Sequence, residues 1–99
     1  MGPFEKITGF QWDDGNEQKN VKHGVTPAEA EQIFLNDPTI ITPDASHSGN
    51  EQRYRALGRT NSGRLLTVIF TLRNNGTLFR VISARDMHRK ERTIYEQEA

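Results

Sequence analysis

All nine arginines of the chain fall between residues 53 and 92. A guanidinium stays charged at any working pH, and its planar fork of donors can grip phosphate oxygens in pairs. With Lys90, and with only Asp86 and Glu91 opposing, residues 53–92 carry +8, whereas residues 1–52 carry −6 and the tail from residue 93 carries −2. The formal charge of zero therefore conceals a basic half suited to a polyanion such as RNA. Solvated strand and helix faces would use the same residues, so position has to discriminate.

Strand alternation puts Arg53, Arg55, Leu57 and Arg59 on one face and Tyr54, Ala56 and Gly58 on the other. A face with three arginines is solvated or serves a ligand. Arg80 shares a strand side with Leu78 and Ile82, which is costly unless its head reaches water, a carboxylate or a phosphate. Near the C-terminus, Arg85, His88, Arg92 and Tyr95 follow helical spacing and would form one stripe. A second stripe, Met87, Glu91 and Ile94, would turn Met87 and Ile94 onto the sheet. His23 would end a helix, where a protonated ring favours the dipole. His47 lies in a polar loop with Asp44 and Glu51, a weak metal-site pattern without a second histidine. Ser/His/Asp patterns, a phosphate-binding loop and a dinucleotide glycine motif are absent.

The totals narrow the classes further. Ninety-nine residues make one domain over 1–99 with a modest core. With no cysteine there is no disulfide or thiolate chemistry. No apolar run approaches the ~20 residues of a membrane span. Leu65 to Leu72 is interrupted by Thr67 and Thr71 and reads as a strand. No secretion signal opens the chain, so cytoplasm is the expectation.

Elements must position these side chains. Phe4 to Trp12 alternates loosely as a first strand. Asp13-Asp14 offers an N-cap to a helix over 15–23, closed by Gly24 at C′. Thr26-Pro27-Ala28-Glu29 is a capping box opening a second helix to about Asn36, with Ala30, Ile33 and Phe34 inward. A short strand at 39–42 precedes strands at 53–60, 64–73 and 77–84. Asn61-Ser62-Gly63 and Asn74-Asn75-Gly76 supply the hairpin turns. Ser83-Ala84-Arg85-Asp86 repeats the capping-box pattern and predicts a last helix to about Gln97. The layout is α+β, an antiparallel sheet with two N-terminal helices and one C-terminal helix.

Four strings together are more specific: Phe10-Gln11-Trp12-Asp13, Lys19-Asn20-Val21-Lys22-His23-Gly24-Val25, Glu51-Gln52-Arg53-Tyr54 and Arg80-Val81-Ile82-Ser83-Ala84-Arg85. In this order, extended by Arg89, Glu91 and Tyr95, they resemble the BrnT family of bacterial toxins from type II toxin–antitoxin pairs. The resemblance covers about residues 4–97. It implies a compact RelE-like fold and ribonuclease activity that arrests translation, without cofactor or metal. It also implies a BrnA-like ribbon-helix-helix antitoxin, expected as a dimer in a hetero-oligomer and meeting DNA on the toxin's behalf. A catalytically weak or inactive interaction module, which binds the antitoxin and tunes operon repression, is the alternative.

Metal-free RNA cleavage needs a base for the 2′-hydroxyl, cations for the transition state and an acid for the leaving oxygen. On this reading Arg53, Arg80 and Arg85 surround the scissile phosphate. Glu51 or His23 would accept the proton, and His88 or Tyr95 would donate one, unless Tyr95 stacks on a base or packs on the sheet. Lys22, Arg55, Arg64, Arg89 and Arg92 would hold the RNA.

Overall fold

The computed structural model describes residues 4–16, 23–44 and 51–98. Its elements are β1 (Gly9–Gln11), α1 (Pro27–Leu35), β2 (Ile40–Pro43), β3 (Arg53–Arg59), β4 (Leu65–Arg73), β5 (Leu78–Asp86) and α2 (Arg89–Glu98). Residues 14–16 are also helical; the remainder of the helix expected over 15–23 reaches outside the described residues. Of the loop over 44–51 proposed to hold His47, residues 45–50 likewise lie outside them.

The sheet has the order β1-β5-β4-β3-β2. The antiparallel sheet expected from the sequence is corrected to a mixed one, because β1 pairs with β5 in parallel. The strand expected from Phe4 to Trp12 contracts to three residues, and Phe4 and Ile7 instead pack on the core from the preceding turn. Turn chemistry fixes the β3–β4 and β4–β5 hairpins. Asn74, Asn75 and Gly76 all take positive φ (54°, 57° and 83°), which glycine and asparagine tolerate best.

Alternation divides the sheet into two chemically different faces. Ala56, Leu66, Val68, Phe70, Phe79, Val81 and Ala84 point inward, onto Ala30 and Ile33 of α1. Helix α1 starts with the expected box, in which Thr26 Oγ1 accepts from Glu29 N–H and the Glu29 side chain accepts from Thr26 N–H. Gly58 lets it come close, since a Cβ there would stand 2.7 Å from Ile33 Cβ. The Thr39 hydroxyl donates to the carbonyls of Ile33 (2.6 Å) and Asn36 (2.8 Å) at the helix end.

The last helix begins later than the sequence implies. Strand β5 continues through Asp86 because Arg85 and Asp86 pair with Thr67 and Leu66 of β4, which overrides the local capping pattern at Ser83. Arg85 is therefore a strand residue, and the expected Arg85–His88–Arg92–Tyr95 stripe does not exist as one helix face. Glu91, three residues after His88, accepts the His88 backbone N–H at 2.8 Å and supplies the acidic half of a capping box. Glu91 and Tyr95 are the buried residues of α2, and Ile94, expected inward, is exposed. Met87 does pack inward, with Tyr95, Leu57, Ile40 and Leu65. Helix α2 thus covers one end of the sheet face opposite α1, and no other helix among the described residues packs on that face. No helix among the described residues is long and apolar enough to cross a membrane.

Candidate functional site

The rest of the outer face carries the arginines in register. Across the sheet, Arg53 pairs with Thr71, Thr71 with Arg80, and Arg80 with Gln11. The next row joins Thr42, Arg55, Ile69 and Ser83, and the third joins Ile40, Leu57, Thr67 and Arg85. Arg53 and Arg80 therefore flank Thr71 from strands about 10 Å apart. Arg73 shares their side of β4, two residues beyond Thr71. A register shift between Ile69 and Phe70 leaves Ile82 as the extra residue of β5. This bulge resets the alternation, so Phe79 and Val81 face the core before it and Ala84 after it, while Arg80 and Arg85 both stay outside.

Two depressions lie on this face. One, of about 320 Å³, is lined by Asp44, Arg53, Arg55, Ile69, Ile82, Ser83 and Arg85. The other, of about 280 Å³, includes Gly15, Asn16, Glu51, Arg53, Arg73 and Arg80 along its wall. Arg53 and Ile82 line both, so the two depressions adjoin on this face, and together they form the groove considered below.

Carboxylates orient the guanidinium groups. Arg80 donates to Asp13 at 2.7 and 3.2 Å and to Gln11 Oε1 at 3.1 Å, which answers the cost of placing an arginine beside Leu78 and Ile82. Asp13 also caps the helical turn by accepting from Gly15 and Asn16 N–H. Hydrogen bonds from Arg80 and then Asn16 hold its carboxyl below the usual aspartate value. Arg73 pairs with Glu51 at 3.1 Å. Arg85 makes two parallel bonds to Glu91, at 2.7 and 3.0 Å, and Arg55 approaches the same carboxylate at 3.7 Å. Thr67 Oγ1 donates to it as well, at 2.9 Å. Burial pushes the Glu91 carboxyl up, but the bonds from Arg85, His88 N–H and Thr67 outweigh it and bring it down to about 2.

The groove thus unites Arg53, Arg55, Arg80, Arg85 and Glu51 from the sequence-derived set. His88 lines neither depression; its side chain is 71% exposed and its Nδ1 lies 4.0 Å from Glu91. Other candidates go elsewhere. Arg64 bonds Asp86 (2.8 and 3.3 Å), Glu29 (3.3 Å) and the Gly24 carbonyl (2.8 Å), a clamp between β4, the end of β5 and the start of α1. The backbone carbonyl of His23 belongs to that clamp, and its exposed ring lines neither depression. Arg89 and Arg92 are exposed on α2, away from both linings. Tyr95 is buried and donates its hydroxyl to the Pro38 carbonyl at 2.8 Å. Burial, then the Asp37 charge, raises that phenol despite Arg59. Lys22 lies outside the described residues. Among those described, no group of three or more His, Asp or Glu side chains is placed to hold a metal ion.

Three residues of the arginine–carboxylate network had no part in the site in the sequence reading: Arg73, Glu91, and Asp13, which was read only as an N-cap. Glu91 was accessible as an acid at the third position of a helix, had the helix start been placed correctly. The Asp13–Arg80 pair depends on the parallel β1–β5 contact, which no local pattern announces. A family model described as "Ribonuclease toxin, BrnT, of type II toxin-antitoxin system" matches residues 12–91, a span that contains all the arginines named for the groove. No match was found among curated proteins.

Proposed function

The chain belongs to the BrnT family of ribonuclease toxins of type II toxin–antitoxin systems, and from that premise we propose that it cleaves RNA laid along the outer-face groove, without a metal. The observation that carries this reading is the sharing of Arg53 by both depressions. A strand following the groove meets Arg53 wherever it lies, with Arg73 and Arg80 on one side and Arg55 and Arg85 on the other. The same reading places the fold in the RelE-like class, supported by the β2–β5 meander flanked by helices.

The rows bearing Arg53 and Arg85 are four residues apart along β3, roughly 13 Å at the rise of a strand. That exceeds one phosphate, so the two ends hold different phosphates of the strand. We place the scissile one between Arg53 and Arg80, where Glu51 takes the proton of the 2′-hydroxyl. The arginines meet the charge that builds on the phosphorane, with donors fixed beforehand by Asp13 and the sheet. Water in the open groove returns a proton to the departing oxygen. Arg55, Arg85 and His88 hold a phosphate further along the strand, and Tyr95 serves packing.

A type II pair implies an antitoxin partner. We assign it as a BrnA-like ribbon-helix-helix dimer that carries the DNA contacts, in the cytoplasm. One observation favours a common surface for RNA and antitoxin: Arg73, Arg80 and Arg85 already pair with carboxylates as donors, so an acidic antitoxin segment would find matched donors there. A catalytically silent binding module would use the groove in the same way.

The test is cleavage of single-stranded RNA by purified protein in the presence of a chelator. Wild type should cut, Arg53→Ala and Glu51→Gln should lose at least about 100-fold in kcat/KM while staying folded, and His88→Ala should change KM more than kcat. Cleavage that stops with chelator and returns with a divalent ion removes the metal-free mechanism. Harmless expression and no cleavage by wild type would leave the binding module.

A further inference from the structure

We propose that Glu91 is a positioning residue of the groove: from the start of α2 it fixes the guanidinium of Arg85, and more loosely that of Arg55, in the orientation in which they meet a phosphate. This rests on the groove being the ribonuclease site. Glu91 is 6% exposed and lines neither depression, whereas Arg55 and Arg85, which it bonds, line one of them. Its Oε1 accepts from Arg85 Nη1, Thr67 Oγ1 and His88 N–H, and its Oε2 accepts from Arg85 Nη2. A carboxylate held from the strand below, the helix start and the guanidinium itself has no freedom to rotate.

The consequence is geometric. Two parallel bonds fix both the distance and the plane of the Arg85 fork, and Nη1 also donates to the Asp86 carbonyl at 3.1 Å, which leaves Nε–H and the second Nη2 hydrogen together on one side. An arginine without such a partner keeps several rotamers, so a smaller fraction of bound strands is held with the scissile phosphate aligned for attack. Glu91 also ties this geometry to α2, because the bond that holds Arg85 shares an oxygen with the one that caps the helix. Charge alone predicts the opposite behaviour. Glu91 partly neutralises Arg55 and Arg85, so removing its charge should tighten RNA binding. Positioning and electrostatics therefore pull kcat and KM in different directions.

The experiment compares wild type with Glu91→Gln and Arg85→Lys. The second variant keeps the cation, cannot make the two parallel bonds, and disturbs the helix cap less. Initial rates on single-stranded RNA separate kcat from KM, and side-chain ¹⁵N spectra of Arg85 report whether its guanidinium is immobile. Positioning predicts slowly rotating Arg85 Nη groups in wild type, lost in Glu91→Gln. It also predicts a kcat lowered roughly 10–100-fold in both variants, with KM unchanged or lower in Glu91→Gln. Retained kcat in folded Glu91→Gln or in Arg85→Lys overturns the proposal. So does an Arg85 guanidinium that rotates freely in wild type. If wild type fails to cleave RNA, the ribonuclease assignment of the groove fails, and the ¹⁵N arm still decides whether Glu91 fixes Arg85.

Discussion

Acid should release the contact between α2 and the sheet through one carboxyl group. Glu91 lies at about 2 in the folded protein against an ordinary value of 4.5. Because the folded value is the lower one, the unfolded chain binds the extra proton. The stabilisation is complete above about pH 5 and declines as pH falls through 4.5 towards 2. At 1.36 kcal/mol per pKa unit, and allowing for screening at the groove side of the ion pair, the contribution is roughly 2–3 kcal/mol. More than half of it should be gone by about pH 3. Asp13, Glu29 and Asp86 are also lowered, so wild type alone does not isolate Glu91. The difference between wild type and Glu91→Gln does. Urea unfolding followed by far-ultraviolet circular dichroism at pH 7, 5, 4 and 3 should show a stability gap that narrows by roughly 1–2 kcal/mol over that series. A gap independent of pH would mean that the Arg85–Glu91 pair contributes nothing as a charge, and the reasoning about this junction would be wrong.

Gly58→Ala should destabilise by about 1–3 kcal/mol, because the new methyl would meet Ile33 at 2.7 Å and push α1 from the sheet; calorimetry that finds equal or higher stability contradicts that packing. Tyr95→Phe should lower the melting temperature by about 4–8 °C, from the loss of one buried hydrogen bond worth about 1 kcal/mol, yet leave RNA cleavage intact. A large loss of kcat there would return Tyr95 to the acid's role. RNA affinity should fall as salt rises, and Arg53→Ala should flatten the log–log slope by about one; a slope unchanged by the substitution would place the bound strand elsewhere.

Much of the architecture is legible in the chain because local chemistry and tertiary contact agree. The Thr26–Glu29 box, the Asn/Gly turns and the alternation through Arg53–Arg59 each specify one local outcome, and packing reinforces it. Two features escaped because packing overrode or reset a local pattern. Ser83 to Asp86 satisfies a helix-start pattern, but the same residues gain a full strand partnership with β4. The bulge at Ile82 shifts the phase of β5, so simple alternation cannot place Arg80 and Arg85 on one face. The arginines were visible as a charge excess and as a strand face. Their carboxylate partners were not, because Asp13–Arg80 is a contact between residues 67 positions apart, and Glu91 acts only once α2 has docked.

The central claim is that RNA lies along the groove of Arg53, Arg80 and Arg85. The most direct measurement is amide chemical-shift mapping with a single-stranded RNA carrying 2′-deoxy substitutions that prevent cleavage. The largest perturbations should fall at Arg53, Arg55, Thr71 and Ile82 to Arg85, with little change along α1. Perturbations concentrated on α1 and the Arg64 clamp, leaving the outer strand face unchanged, would contradict the account.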